Sequence, residues 1–203
     1  MILTYFVISI SLIFQLSCAQ VREQPVTVVA SPTSKPANAA RPEKQNSDGK
    51  LDQNDLTDVT KLVERHRNAT KEDKDNASTL FAESKKEFEK GKYTVAGQGF
   101  MESASIFPTI EALILAGESI ARLNVSDQPA NKRKKYKLEG FQKALDFFNV
   151  ARDFAEKTAG SKDLEKYPYL DKDIECIKAY LASGDSRKLC QLVKETLKMN
   201  GIE

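Results

Sequence analysis

The spacing of apolar residues divides the chain into three parts. Residues 2–16 form an apolar run without charge, and residues 20–50 contain few large apolar side chains but four prolines. Beyond residue 51 apolar residues recur at intervals of three and four, which is the spacing of one face of an α-helix. The pattern predicts an all-α protein in which the folded part follows a leader and a linker.

Residues 1–19 have the length and flanks of a secretory signal peptide. A membrane-spanning helix needs about 20 predominantly apolar residues, whereas Ser9, Ser11 and Gln15 interrupt the run here. A signal peptide normally begins with a positive charge, but the first charged residue of this chain is Arg22. The prediction is an exported protein, with a retained membrane anchor as the alternative.

Two cleavage sites compete at the end of this leader. Ser17 and Ala19 place small residues where ordinary signal peptidase requires them, which predicts a cut after Ala19. The stretch QLSC also resembles a bacterial lipobox, with Gln15 where that pattern prefers Leu, Val or Ile. This resemblance implies that the mature chain begins with an acylated Cys18. We favour lipidation, because the apolar run ends on a single cysteine followed by a linker-like segment.

Residues 20–50 are too poor in apolar side chains to offset the entropy lost on ordering, and we interpret them as a disordered tether. Residues 51–75 follow as a surface helix and a connector, since the apolar positions between Leu56 and Val63 have helical spacing. The single histidine, His66, lies at the end of this stripe among polar neighbours. It is predicted to be a solvated side chain.

Residues 76–203 carry a helical pattern that repeats. Its first copy places a small residue, Gly, Tyr, Ala, Phe and Pro at fixed offsets: Ser84, Gly91, Tyr93, Ala96, Phe100 and Pro108. These offsets resemble the tetratricopeptide repeat, a helix–turn–helix unit of about 34 residues; Glu87 departs from it, because the family prefers an aromatic residue there. Gly97 and Gly99 inside the second helix each cost about 1 kcal/mol relative to Ala. They predict close packing against a neighbour that the sequence does not identify.

Two further copies of the pattern are more degenerate. The second pairs EALILAGESIARLN with GFQKALDFFNVARDFA, and the insertion VSDQPANKRKKYKLE separates them. The third is DIECIKAYLASGDSRKLCQLVKETL, in which Ser186 replaces the aromatic residue after the Gly. The resemblance implies three antiparallel helix pairs stacked as a solenoid. An irregular helical bundle is the alternative.

The same resemblance implies a binding surface. In tetratricopeptide domains the first helix of each pair lines a concave groove that holds an extended peptide or a partner helix. The corresponding positions of this chain are Phe81, Lys85, Glu89, Ile114, Glu118, Arg122, Ile174, Lys178 and Ala182. Phe81, Ile114 and Ile174 share one repeat position and are expected to form an apolar strip. The alternative is that these three pack against other parts of the domain.

Composition and motifs argue against most other functions. A formal net charge of +2 is unlike the strongly basic character of a nucleic-acid-binding protein. Residues 76–203 contain no His for a nucleophile–base pair, no Cys and His cluster for zinc and no phosphate loop of the Walker type. We expect a binding or scaffold protein of the bacterial cell envelope with a protein or peptide partner, and without catalysis, cofactor, metal or small-molecule substrate. A carboxylate-dependent cell-wall or envelope hydrolase is the alternative.

A basic stretch and two cysteines each allow two interpretations. The basic stretch is NKRKKYK, residues 131–137. In one interpretation it contacts anionic lipid headgroups or an acidic partner. In the other it is an exposed insertion without a binding role. Cys176 and Cys190 fall on the two helices of the third pair. They either form a disulfide in an oxidising compartment or remain buried free thiols. The expected location is the periplasmic side of a bacterial outer or cytoplasmic membrane, held by the lipid on Cys18. A soluble secreted protein is the alternative.

Overall fold

A computed structural model of the chain describes residues 49–158, 161–184 and 190–202. All regular secondary structure in these ranges is helical, which confirms the all-α class. A 3₁₀ helix, Gln53–Thr57, comes first, followed by α1 (Val59–Asn68), α2 (Lys71–Glu89), α3 (Tyr93–Ile106), α4 (Ile110–Ala121), α5 (Ala130–Lys157), α6 (Ser161–Leu164), α7 (Leu170–Ser183) and α8 (Gln191–Met199). The described residues belong to one compact unit, Lys44–Glu203. The predicted leader, most of the tether and the lipidation site Cys18 lie outside the described residues.

Helix α2 begins earlier than the repeat pattern indicates. The side chain of Thr70 accepts a hydrogen bond from the backbone N–H of Asp73, and the Asp73 carboxylate accepts one from the backbone N–H of Thr70. This reciprocal capping box satisfies two N–H groups that the start of a helix leaves without partners. The helix therefore starts at Lys71, whereas the repeat pattern set the start of the helical domain at Asn76.

Helices α2 and α3 form an antiparallel pair joined by a turn at Gly91. This glycine has a φ of 74°, a left-handed conformation that other residues rarely adopt. Near the turn the rings of Phe88 and Tyr93 lie 5.2 Å apart, and further along the rings of Phe81 and Phe100 lie 5.4 Å apart. The helices and the turn that the sequence predicted for this first unit are present.

Two glycines of α3 lie at close contacts with neighbouring helices. A Cβ added at Gly99 would lie 3.1 Å from the Cβ of Ser84 on α2 and would collide with its hydroxyl. A Cβ added at Gly97 would lie 3.0 Å from the Cβ of Ser119 on α4. These separations are shorter than ordinary carbon–carbon contacts. The close neighbours predicted for Gly97 and Gly99 are therefore Ser119 on α4 and Ser84 on α2.

Helix α4 lies between two partners, because it packs along α3 on one side and along α5 on the other. It runs antiparallel to α5, since Gly117 faces Phe148 while Ile120, further along α4, faces Gly140, which comes earlier in α5. The start of α5 at Ala130 corrects the predicted insertion between these helices, because most of that segment is the first part of α5. Helices α7 and α1 also pack against α5.

His66 on α1 is packed against the domain, so its prediction as a solvated side chain is wrong. Its ring stacks on Phe107 at a centroid distance of 4.7 Å and meets Phe154 edge-on at 5.5 Å. Its Nδ1 lies 2.9 Å from the carbonyl oxygen of Pro108. Because a carbonyl only accepts, Nδ1 carries the proton and donates. These contacts fix α1 to the connector between α3 and α4.

Gly117→Ala is expected to destabilise the domain by about 2 kcal/mol, although alanine is the better helix former. The added Cβ would lie 2.7 Å from Cε1 of Phe148 and 3.2 Å from the backbone oxygen of Ala144, so α4 and α5 would have to separate. Gly140→Ala is the matched control, because its Cβ would meet the carbonyl of Ile120 at an ordinary 3.5 Å. There the helix-propensity gain of about 1 kcal/mol should remain. Urea unfolding measures both, and a Gly117→Ala variant as stable as the natural chain would contradict the close contact.

Candidate interaction surface

The residues assigned to the groove separate into a buried apolar group and a polar group. Ile114 on α4 and Ile174 on α7 belong to the core, with 0 % and 1 % of their surfaces exposed. Phe81 is half-buried and packs against Phe100. The expected open apolar strip is therefore wrong for Ile114 and Ile174. The physical reason is that α4 is covered by α3, α5 and α8, and α7 packs on α5.

The polar group divides again according to its contacts. Glu89, Lys178 and Ala182 are exposed, and the ammonium of Lys178 pairs with Glu175 on its own helix at 3.0 Å. None of these three side chains forms a described hydrogen bond or ion pair with another helix. The other polar positions, Lys85, Glu118 and Arg122, do connect different helices.

Lys85 joins α2 to α4. Its Nζ lies 3.2 Å from Oε1 of Glu111, in the first turn of α4, and 5.9 Å from the ring centroid of Phe81. Both charged side chains are about half exposed, so this ion pair contributes no more than about 1 kcal/mol. The contact matters for geometry, because it places the second half of α2 beside the start of α4.

Glu118 is a carboxylate in the interior of the domain, with 9 % of its surface exposed. It lies two helical turns after Glu111, and the phenol of Tyr169 is near it. Burial raises the pKa of Glu118; the nearby Tyr169 hydroxyl and the charge of Arg122 oppose this shift, and the charge of Asp173 adds to it. Glu118 therefore keeps its proton to a higher pH than an exposed glutamate does.

Two tyrosines from the connector before α7 complete this region. Burial, together with the nearby charge of Glu111, raises the pKa of Tyr167 to about 12. The Tyr167 and Tyr169 rings meet edge-on with centroids 6.1 Å apart. Burial also raises the pKa of the Asp173 carboxyl in the first turn of α7. We name these five residues, Glu111, Glu118, Tyr167, Tyr169 and Asp173, the carboxylate–tyrosine cluster.

Arg122 lies at the end of α4 that is nearest to α8. Its Nη1 donates a hydrogen bond to Glu195 on α8 at 3.1 Å, and its guanidinium carbon lies 5.9 Å from the ring centroid of Tyr93. Its positive charge also lowers the pKa of both Glu118 and Asp173, against the larger effect of burial. Arg122 therefore faces several carboxylates at once, and it neutralises their charge only in part.

Sequence reasoning found some of these residues and missed others. Glu118 and Arg122 were placed on this face by the repeat register. Glu111 precedes Glu118 by seven residues, a spacing that puts both on one face of a helix, and this signal was available. Tyr167 and Tyr169 lie in a connector outside the repeat pattern. The only sequence feature that marks them is the occurrence of two tyrosines within three residues. That feature does not indicate which residues they contact.

A disulfide between Cys176 on α7 and Cys190, just before α8, holds these helices together. The two Cα atoms are 5.8 Å apart, within the range that a disulfide spans. The bridge joins positions 14 residues apart, and closing a loop of that size stabilises a fold by about 3 kcal/mol. It also keeps α8, and with it Glu195, beside Arg122.

The described ranges offer no other arrangement with an evident chemistry. Among their residues, no group of three or more His, Cys, Asp or Glu side chains is arranged to hold a metal ion. No helix within them is long and apolar enough to cross a membrane. Open cavities of about 590 Å³ beside Asp73 and about 420 Å³ beside Val63 are lined by residues outside the carboxylate–tyrosine cluster. The five residues of the cluster therefore line neither cavity.

Comparisons of this chain with protein-family models, with curated proteins and with solved structures find no match. The fold and the site define a class only: an all-α domain of consecutively packed helices with an internal disulfide. Its most distinctive surface is the group of desolvated carboxylates and tyrosines beside α4.

Proposed function

We propose that this protein is an exported scaffold of the bacterial cell envelope that binds a protein or peptide partner through the carboxylate–tyrosine cluster. Its leader directs export, the lipid on Cys18 holds it at the periplasmic side of a membrane, and the tether lets the domain reach its partner. The helices from α2 to α8 form a tetratricopeptide-like array. The QLSC stretch and the pattern from Ser84 to Pro108 support this assignment.

The observation that carries the proposal is a pair of desolvated carboxylates on neighbouring helices, Glu118 on α4 and Asp173 on α7. Glu118 and Asp173 both have raised pKa values because burial removes them from water, and the charge of Asp173 raises the pKa of Glu118 further. Burying carboxylates near one another costs free energy, and stable folding does not require it. A cationic side chain from a partner would offset that cost.

Tyr169 gives the same surface an aromatic component. It is 39 % exposed and its phenol is near Glu118, so a ligand can reach part of this residue. A Lys or Arg over a tyrosine ring gains about 0.5–1 kcal/mol at an exposed site. Carboxylates beside an accessible aromatic ring therefore favour a partner segment that contains Lys or Arg.

A carboxylate-dependent hydrolase is the second candidate, and one observation favours it. Glu118 and Asp173 are neighbouring acids with raised pKa values, a feature of general-acid catalysis. Against it, neither described cavity contains these side chains. A binding surface accounts for the same groups without a substrate cleft.

Selection from a displayed library of random peptides tests the proposal. Peptides that bind the natural chain are expected to be enriched in Lys and Arg, and their binding should weaken as salt is added. Changing Glu111→Gln and Glu118→Gln together should weaken the binding of a selected peptide by about 10-fold or more, equivalent to about 1.4 kcal/mol. Isothermal titration with one synthetic peptide measures this ratio.

Glu89→Gln is the matched control, because Glu89 is an exposed carboxylate on α2 outside the cluster. It should leave peptide affinity unchanged. Selected peptides without cationic residues, or equal losses in the control and in the double variant, would contradict the proposed site. Cleavage of a selected peptide by the natural chain, lost in the Glu118→Gln variant, would favour the hydrolase instead.

A further inference from the structure

The first two turns of α5 extend past the end of α4. The ammonium of Lys137 donates hydrogen bonds to the carbonyl oxygens of Ala121 and Leu123, at 3.0 Å and 2.5 Å, where α4 ends. Residues 130–136 of α5 therefore lie beyond that point. At 1.5 Å per residue, seven residues extend about 10 Å along the helix axis.

This projecting segment concentrates positive charge. Between Ala130 and Tyr136 there are four cations and no acidic residue. The only ion pair described for them joins Lys135 to Glu139 at 3.9 Å, and both side chains are more than half exposed, so it neutralises little charge. Cations at the start of a helix also interact unfavourably with the helix dipole. These four cations therefore do not stabilise the helix that carries them.

The end of α8 lies at the same end of the domain. Asn200, directly after α8, accepts a hydrogen bond from the backbone N–H of Val125, in the connector to α5, at 2.6 Å. Gly201 lies close to Arg133, since a Cβ added there would be 3.8 Å from its Nη1. Lys198, on the last turn of α8, is exposed. We name this region the basic end and define it by Lys132, Arg133, Lys134, Lys135, Tyr136, Lys198 and Met199.

Two apolar side chains are exposed among these cations. Met199 is 48 % exposed and Tyr136 is 40 % exposed, and they are two of four large hydrophobic residues that are so exposed in the described ranges. Tyrosine favours the boundary between water and lipid headgroups, because its ring is apolar and its hydroxyl is polar. A flexible methionine side chain can enter the same boundary.

We propose that the basic end docks the folded domain directly on an anionic phospholipid surface. Each Lys or Arg close to such a surface contributes roughly a 5-fold gain in binding, and exposed Tyr136 and Met199 add contact with the acyl boundary. A projecting helix end fits a flat surface, whereas an acidic peptide would need a groove to hold it. This contact uses neither the carboxylate–tyrosine cluster nor the lipid on Cys18.

Vesicle sedimentation tests this docking with a chain that begins at Gln20 and therefore carries neither the apolar leader nor an acyl group. It is expected to bind vesicles of phosphatidylcholine with phosphatidylglycerol at low salt, and to bind pure phosphatidylcholine at least about 10-fold more weakly. Changing Lys132, Lys134 and Lys135 together to Gln should weaken binding to the anionic vesicles by about 100-fold. Arg133 is left unchanged, because it holds the connector through the carbonyls of Ser126 and Gln128.

The matched control changes Lys71, Lys86 and Lys172 to Gln, which removes the same charge from exposed positions elsewhere. It should lose less than about 3-fold in binding, because these lysines do not share one end of the domain. A second variant, Lys198→Gln with Met199→Ser, alters α8 independently of α5 and should lose about 5-fold or more. Circular dichroism should show unchanged helicity in all of them.

Equal binding of the natural chain and the triple basic-end variant would overturn the proposal, as would an equal loss in the control. Binding to soluble poly-glutamate without binding to anionic vesicles would also overturn it, in favour of an acidic protein partner. Binding of cationic peptides should persist in the triple variant. Failure of membrane docking is thereby distinguishable from failure of the proposed scaffold function.

Discussion

Ile174→Asn is expected to destabilise the whole domain rather than to remove a binding contact. Ile174 on α7 is 1 % exposed, so losing its side chain removes packing worth about 2–5 kcal/mol. The new amide would have no partner in an apolar site, which costs about 1–3 kcal/mol more. Together these are a large share of a typical stability of about 5–15 kcal/mol. Urea unfolding followed by circular dichroism measures the loss of stability. Ile114→Asn on α4 should destabilise the domain to a similar extent.

Ala182→Asn is the matched control for this result, because Ala182 lies on the same helix but is exposed. A change within about 0.5 kcal/mol is expected there. If Ile174→Asn instead unfolded at the same urea concentration as the natural chain and had lost peptide binding, Ile174 would belong to an open apolar strip. That outcome would restore the groove predicted from the repeat register.

In the first helix pair, the repeat pattern predicted the turn and the end of α3 better than it predicted the burial of side chains. Gly91 lies in the turn after α2, and α3 ends at Ile106, shortly before Pro108. Both are local effects, since glycine tolerates a positive φ and proline cannot continue a helix. Burial depends instead on segments that are distant in sequence. The segment IEALILAGESIA did carry a usable signal, because its only charges are Glu111 and Glu118, and a helix apolar on nearly all sides is a buried one.

The carboxylate–tyrosine cluster could be predicted only in part, because it combines side chains from α4, α7 and the connector between α6 and α7. The register placed Glu118 on the groove face of its helix, but nothing local indicates that Tyr169 lies beside it. The same holds for His66, whose neighbours Phe107 and Phe154 come from distant segments. Contacts of this kind follow from the way α1 and α7 pack against α5, which the repeat pattern does not specify.

Lys137 shows how a charged stretch can hide a buried residue. It is the last cation of NKRKKYK, yet only 2 % of its surface is exposed. Its ammonium donates to the carbonyls of Ala121 and Leu123, which the end of α4 leaves without helical partners. Burial lowers the pKa of Lys137 to about 8. The two carbonyls, at the negative end of the α4 dipole, are suitable acceptors for an ammonium group.

Raising the pH from about 7 to about 9.5 is therefore expected to stabilise the protein by up to about 2 kcal/mol through Lys137. The pKa of this lysine is about 8 in the folded chain against a reference value of 10.5, so within this window the unfolded chain binds more protons and stability rises with pH. The neutral amine keeps two N–H groups and can still cap α4. Lys137→Met should abolish the rise, whereas Lys134→Met, at an exposed position of the same helix, should retain it. Urea unfolding at both pH values measures the difference, and an equal rise in the two variants would show that ionisation of Lys137 is not linked to folding.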